Sequence, residues 1–138
     1  MMDNMDLEKG GVKMDAGKVR LDLVPPEVMM ALGTVLTYGA EKYEPWNYTK
    51  GMRAGRLVAS LKRHMIAMEA GEQLDPETSL PHMWMMLANI SMLVSCDLRG
   101  VLEWDLPDGE SALDVAYDAI NIHRARMDYE NGLRTESE

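Results

Sequence analysis

Apolar residues recur at helical spacing in four stretches of this chain, separated by segments rich in Gly, Pro, Asp and Asn. The first stretch follows Pro25-Pro26, a pair suited to the first turn of a helix, where a missing amide hydrogen costs nothing. Val28, Leu32, Val35 and Leu36 then fall at i, i+4, i+7 and i+8, which predicts a helix to about Tyr43. A second helix is predicted from about Arg56 to Ala70. It places Leu57, Leu61, His64, Met65 and Met68 on one stripe, with Arg56, Lys62 and Arg63 away from its centre and Gly71 as C-cap. The third, His82 to Leu98, is apolar nearly all the way round and so belongs at the centre of a bundle or at a subunit interface. The last, about Ser111 to Asn131, offers Leu113, Ala116, Ile120 and Ile122 for packing before it becomes charged.

The connections have their own signatures. Residues 1–12 are polar and aperiodic, a flexible arm, and residues 13–24 carry an Asp-Ala-Gly turn signal and a short alternating stretch, an ordered loop or short strand. Residues 44–55 form a loop in which Trp46 is expected to pack down, and Leu74 to Pro81 form a turn. The whole is expected to be a single all-α domain, a bundle of about four to five helices. Its core spans residues 13–100, a C-terminal loop and helix residues 101–131, and a disordered tail residues 132–138.

Composition narrows the setting. With 138 residues and 15.5 kDa the chain has room for one core, and its 14 Met and absence of Phe suit adaptable helical packing. A formal net charge of -9 argues against a nucleic-acid polymer as partner, since a polyanion needs clustered Lys and Arg. A small anion remains open to an acidic pocket if a bound cation reverses the local sign. Cys96 stands alone, there is no apolar leader, and no segment reaches membrane-spanning length, so a cytoplasmic protein without membrane contact is expected.

The carboxylates are unevenly placed. Glu69, Glu72, Asp75 and Glu77 crowd the end of the second helix and the next turn, between His64 and His82. Hard oxygen donors of this kind suit Mg²⁺ or Mn²⁺. Glu41 and Glu44 end the first helix, so that Glu41-x-x-Glu44 and Glu72-x-x-Asp75 form an ExxE…ExxD arrangement, although Pro76 puts Asp75 beyond the helix. Each glutamate could instead cap or pair locally beside Lys62 or Arg63. His82 and Asn89 share a face of the third helix, either as satisfied core groups or in contact with a ligand, and His123 reads as a surface residue. Lys13, Asp15 and Lys18 lie near a turn, and Lys42 and Arg63 add cations near the acidic group. All of these could serve a phosphate chain or simply face solvent. Tyr43, Trp46 and Asn47 could stack on and hydrogen-bond a base, or anchor their own loop.

The runs KMDAGKVRLDLVP, LTYGAEKYEPWNY and LKRHMIAMEAGEQLDPETSLPHMWMMLAN, in that order, resemble the phage and bacterial dATP/dGTP diphosphohydrolase family. These are MazG-like helical nucleotide pyrophosphohydrolases that include the MazZ enzymes of phages replacing adenine with diaminopurine. The resemblance covers about Lys13 to Leu98. It implies a MazG-like helical fold that converts dATP and dGTP to monophosphate and pyrophosphate with Mg²⁺ or Mn²⁺, purging dATP and supplying dGMP for diaminopurine synthesis. The all-round apolar third helix, and the placement of such sites near subunit contacts that the resemblance implies, point to a homodimer or homotetramer; the cytoplasm is that of the host if a phage encodes the chain. Glu41, Glu72 and Asp75 match the family's acidic positions, with Glu69 a further candidate ligand. Lys42, Tyr43, Asn47, Arg63, His64, His82 and Asn89 match its polar positions. The chain departs from the pattern at Met85, where a second histidine is frequent, at Ser79, where glycine is common, and at Tyr48, where tryptophan is usual.

The expected chemistry is metal-assisted attack of water on the phosphate chain, with Glu69 or Glu41 as general base, His64 as a further catalytic group, and Lys18, Lys42 and Arg63 holding phosphates. Two other readings remain open at this point: an HD-like phosphohydrolase built on His64, His82 and Asp75, and a non-enzymatic acidic helical interaction protein.

Overall fold

The computed structural model describes residues 10–107 and 109–137 of the chain. Most of the expected N-terminal arm therefore lies outside the described residues. Four helices dominate: α1 (Pro26–Lys42), α2 (Ala54–Glu69), α3 (His82–Leu98) and α4 (Gly109–Glu136). Single 3-10 turns lie at Leu21–Leu23 and Asn47–Lys50, and two-residue strands β1 (Met52–Arg53) and β2 (Leu102–Glu103) pair in parallel. The protein is an all-α bundle, as the periodicity predicts. Among the described residues no helix is long and apolar enough to cross a membrane.

Each helix starts where the chain provides a reason. Pro26 opens α1 and the backbone of Tyr43 closes it on Gly39 O at 2.9 Å. Helix α2 begins two residues before the predicted start because its N-terminus is fixed from a distance: Asp105 Oδ1 accepts the Gly55 N–H at 2.7 Å. A carboxylate there satisfies an otherwise free amide and faces the positive end of the helix dipole. The parallel pairing of Met52 with Leu102 and Arg53 with Glu103 brings that aspartate within reach. Gly51 makes the turn ahead of β1 with φ +115°, and a Cβ at that position would stand 3.3 Å from Val101 O.

The core is small and lies between α1, α2 and α3. Ala31 and Val35 meet it from α1, Ala54 and Leu57 from α2, and Ala88 and Cys96 from α3. The Cys96 thiol donates to Tyr48 O at 3.3 Å, pinning the loop after α1 onto α3, and burial pushes that thiol's pKa up. The small residues Ala31, Ala54 and Ala88 let the three helices approach closely.

Residues 13–24 take the loop form of the two expected, an exposed turn closed by Lys18 N–H to Asp15 O at 3.0 Å followed by the 3-10 turn. Three expectations are corrected. Trp46 does not pack down; it is 66% exposed, because a left-handed backbone (φ 63°, ψ 19°) turns it away from the helices. Leu113, Ala116, Ile120 and Ile122 pack against nothing, since α4 is exposed at every position from 111 onward. Helix α4 also continues to Glu136, beyond the predicted end near Asn131, so most of the expected loose tail is helical. His123 is exposed, as expected.

Candidate active site

A cavity of about 980 Å³ opens between the second half of α1, the loop after it, α2, the Asp75–Thr78 turn and α3. Helix α2 lines it with Arg56, Ser60, Arg63 and His64, a polar stripe at i, i+4, i+7 and i+8. The neighbouring apolar stripe of Leu57 and Leu61 faces the core, so one helix positions both.

The turn between α2 and α3 is tightly tied. Gln73 O accepts the His82 N–H at 3.0 Å, Asp75 N–H donates to Leu80 O at 2.8 Å, and Ser79 N–H donates to Asp75 O at 2.7 Å. The Asp75 carboxylate also accepts from Thr78 Oγ1 at 3.1 Å and from Glu77 N–H at 3.3 Å, so its oxygens are held in place on the cavity wall. Ser79 adopts φ 59°, a left-handed conformation that glycine takes without strain.

Opposite this turn, Lys42 Nζ donates to Glu77 Oε1 at 2.7 Å across the cavity mouth, and the pairing raises the Lys42 pKa. Both side chains are solvent-accessible, so the pair is weak and an incoming anion can exchange for the carboxylate. Lys42 also lies 5.5 Å from the centre of the Tyr43 ring. Trp46 and Tyr48 are tilted at 52° with centroids 6.3 Å apart, giving the mouth an aromatic lip.

At the floor lies a chain of three proton-handling groups. His64 Nδ1 and His82 Nδ1 are 2.8 Å apart, and His82 Nε2 is 3.3 Å from Glu72 Oε1. An ionised carboxylate only accepts, so His82 carries its hydrogen on Nε2 and, when neutral, presents Nδ1 as acceptor. His64 must then donate from Nδ1, which leaves the lone pair on its Nε2. Burial, and secondarily the neighbouring His82, hold the His64 pKa below the ordinary imidazole value, which favours the neutral ring with an unprotonated Nε2.

The cavity brings together Lys42, Tyr43, Trp46, Asn47, Arg63, His64, Asp75, His82 and Asn89 from the predicted set. It does not bring in Lys13, Asp15 or Lys18, which lie on the exposed segment before α1, nor Glu41 and Glu69, which are exposed. Glu72 stands behind His82 rather than on the wall. His82 is 4% exposed with both ring nitrogens engaged, so it supports His64 and presents no free nitrogen. Asn89 spends its amide hydrogens on Ser60 Oγ at 3.2 Å and Met85 O at 2.9 Å. Glu77, one of the crowded carboxylates, lines the cavity with Asp75, and Arg56, Ser60 and Thr78 are lining residues that sequence reasoning left out of the site. Arg56 and Ser60 were legible as a polar stripe in register with His64; Thr78 required the fold of the turn.

Among the described residues no three His, Cys, Asp or Glu side chains converge closely enough to enclose a metal ion. Mg²⁺ needs less than that, because it is commonly held by one or two carboxylates and completes its shell with water and substrate phosphate. Asp75 and Glu77 are carboxylates that line the cavity from one turn.

The fold and the cavity define a class of all-α bundles with a charged cavity between three helices. Within it the chain belongs to the dATP/dGTP diphosphohydrolase N-terminal family, whose sequence profile matches residues 8–105. It is 36% identical over 72 residues to a dATP/dGTP diphosphohydrolase of Salmonella phage PMBT28, a match covering 52% of this chain. The matched stretch spans only about a quarter, 24%, of that phage protein's own length. No solved structure matches the chain.

Proposed function

We propose that this chain hydrolyses purine deoxynucleoside triphosphates, dATP and dGTP, at the α–β phosphoanhydride, releasing the monophosphate and pyrophosphate with the help of Mg²⁺ or Mn²⁺. The observation that carries this reading is one cavity wall-to-wall with phosphate-binding cations (Lys42, Arg63), carboxylates on a rigid turn (Asp75, Glu77) and a neutral histidine, in a chain of this family. In a phage whose DNA contains diaminopurine the reaction would remove dATP and supply dGMP.

Each residue has a role in this reading. Lys42 exchanges Glu77 for a phosphate oxygen, and Arg63 offers its planar fork to a second phosphate. Tyr43 and Trp46 stack on the base, with Asn47 available to its edge. Asp75 and Glu77 would hold the divalent ion, which when bound lowers the pKa of water and neutralises the leaving group. His64 Nε2 takes the proton of the attacking water, while His82 and Glu72 keep its other nitrogen protonated. This places the base on His64, where the sequence alone favours Glu69 or Glu41.

The test is a panel of the eight common nucleoside and deoxynucleoside triphosphates with Mg²⁺ or Mn²⁺, with the phosphorus products resolved. Pyrophosphate from dATP and dGTP is expected, and it should disappear in Asp75→Asn. Tripolyphosphate or orthophosphate as first product would replace the proposal with an HD-like phosphohydrolase. No turnover of any nucleotide would leave the interaction protein.

A further inference from the structure

Asn89 lines the cavity wall and is only 5% exposed. Both hydrogens of its amide are committed, one to Ser60 Oγ at 3.2 Å across on α2 and the other to Met85 O at 2.9 Å one turn back on α3. A backbone carbonyl only accepts, so the amide cannot turn over without setting oxygen against oxygen. Its orientation is therefore fixed. Oδ1 has no donor among the described residues, yet no buried side-chain oxygen or nitrogen among them is sealed off without a partner. Oδ1 thus keeps an opening, and that opening is the cavity. A nearly buried acceptor without a donor is costly, and a ligand in the cavity is placed to supply one.

Its neighbour adds a second half to the site. Thr34 and Thr37 on α1 spend their hydroxyl hydrogens on the carbonyls of Met30 and Gly33 one turn back. Ser60 makes no such bond among the described residues; its Oγ accepts from Asn89, and its hydrogen stays available. Ser60 also lines the cavity, so an acceptor and a donor stand side by side there. A hydroxyl, which donates and accepts through one oxygen, fits that pair.

The pair sits between two ends of the cavity. Ser60 lies one turn, about 6 Å, before His64 on α2, and Asn89 two turns, about 10 Å, after His82 on α3. The contacts His64–His82 and Ser60–Asn89 show the two helices running antiparallel, so both offsets lead the same way, away from the Asp75–Thr78 turn. Two turns further along α3, Cys96 meets the backbone oxygen of Tyr48, the residue that forms the aromatic lip with Trp46. With phosphates at His64 and a base at the lip, the group between them is the sugar.

The bases themselves point the same way. Adenine carries an amino group where guanine carries a carbonyl, so one acceptor of fixed orientation cannot serve both at that edge. The deoxyribose is common to both, and once its 5′ oxygen is esterified it retains a single hydroxyl, the 3′.

We propose, resting on the nucleotide hydrolysis proposed above, that Asn89 and Ser60 read the sugar: the 3′-hydroxyl donates to Asn89 Oδ1 and accepts from Ser60 Oγ. The test compares kcat/KM for dGTP with that for 2′,3′-dideoxyguanosine triphosphate, which lacks only that hydroxyl. The wild type should prefer dGTP by about 10-fold or more, as a site does when its acceptor loses its donor. Asn89→Leu keeps the volume and removes the acceptor, and should bring the ratio to about 1. Ser60→Ala should lower it as well, and in both variants the ratio of dATP to dGTP should stay as in the wild type. Damage to packing slows both substrates alike, so the ratio reports the contact and not the fold. Equal wild-type rates overturn the proposal without any variant. So does a preference that survives Asn89→Leu, or an Asn89→Leu effect confined to the ratio of dGTP to deoxyinosine triphosphate, which would put Oδ1 at the base. Turnover of no nucleotide overturns the hydrolysis and the sugar contact together, whereas turnover without a 3′ preference overturns the sugar contact alone.

Discussion

Glu72 never reaches the cavity, yet it decides which nitrogen of His64 carries a lone pair. Replacing it by Gln allows the amide to donate to His82 Nε2, which reverses both imidazole tautomers and removes the basic nitrogen from the cavity side. Glu72→Gln is therefore expected to lower kcat at unchanged KM in a steady-state assay, and His64→Ala to lower kcat by about 10²-fold or more. The pH dependence has a definite sign. Because His64 is held below its ordinary pKa, the unfolded chain binds that proton more readily. The stability that depends on neutral His64 is full above the ordinary imidazole pKa and is lost as pH falls through the folded-state value. Thermal melts across acid pH should show this loss, and His64→Gln should flatten it. Trp46 gives a different separation of effects. Its left-handed backbone and exposed ring mean that Trp46→Gly relieves strain of about 1 kcal/mol while removing the proposed base platform. A raised KM together with a melting temperature raised by a few degrees is the expected result.

At the scale of elements, the turn between α2 and α3 and the remote cap on α2 hold the site. Ser79→Gly removes a left-handed penalty and is expected to stabilise the chain by about 1 kcal/mol, several degrees in a melt. Asp105→Ala frees the Gly55 amide at the start of the helix that carries Arg63 and His64. It should cost about 1 kcal/mol, visible as a lower melting temperature. The helices themselves were legible because each announces its period and its boundary: α1 by Pro26, α3 by the Pro81-His82 junction, both found where predicted. The early start of α2 was not legible, because its cap comes from Asp105, fifty residues away in sequence. The metal-site composition between His64 and His82 was visible in the chain as a crowd of carboxylates. Which of them share a wall was not, since that depends on how the Asp75–Leu80 loop closes on itself.

For the whole molecule, a net charge of -9 sets the terms of binding a polyanion. Three cations line the cavity, Lys42, Arg56 and Arg63, and would face the phosphates against that background, so binding of a triphosphate should depend on a divalent ion. Chelation is expected to abolish turnover, while Mn²⁺ with dGTP at about 100 times its Kd should add about 2.7 kcal/mol of stability in a melt. Nucleotide that stabilises the chain equally well in chelator would remove the ion from the proposed mechanism. The large exposed surface of the single chain belongs to the same scale, because a core built from three helices leaves α4 exposed from residue 111 to 137 among the described residues.

Periodicity and composition by themselves determined the helical class, the places where three of the four helices begin or end, and the residue types available for phosphate and metal chemistry. Those properties are local: they depend on spacing along the chain and on the preferences of Pro, Gly and the apolar side chains. The tertiary structure alone decided that His82 lines the cavity with both ring nitrogens engaged while His64 has only Nδ1 engaged, and that Glu41 and Glu69 stay outside it. It also decided that α4 stands apart from the core. Each of these rests on distances between residues far apart in sequence, and no spacing rule along the chain contains them.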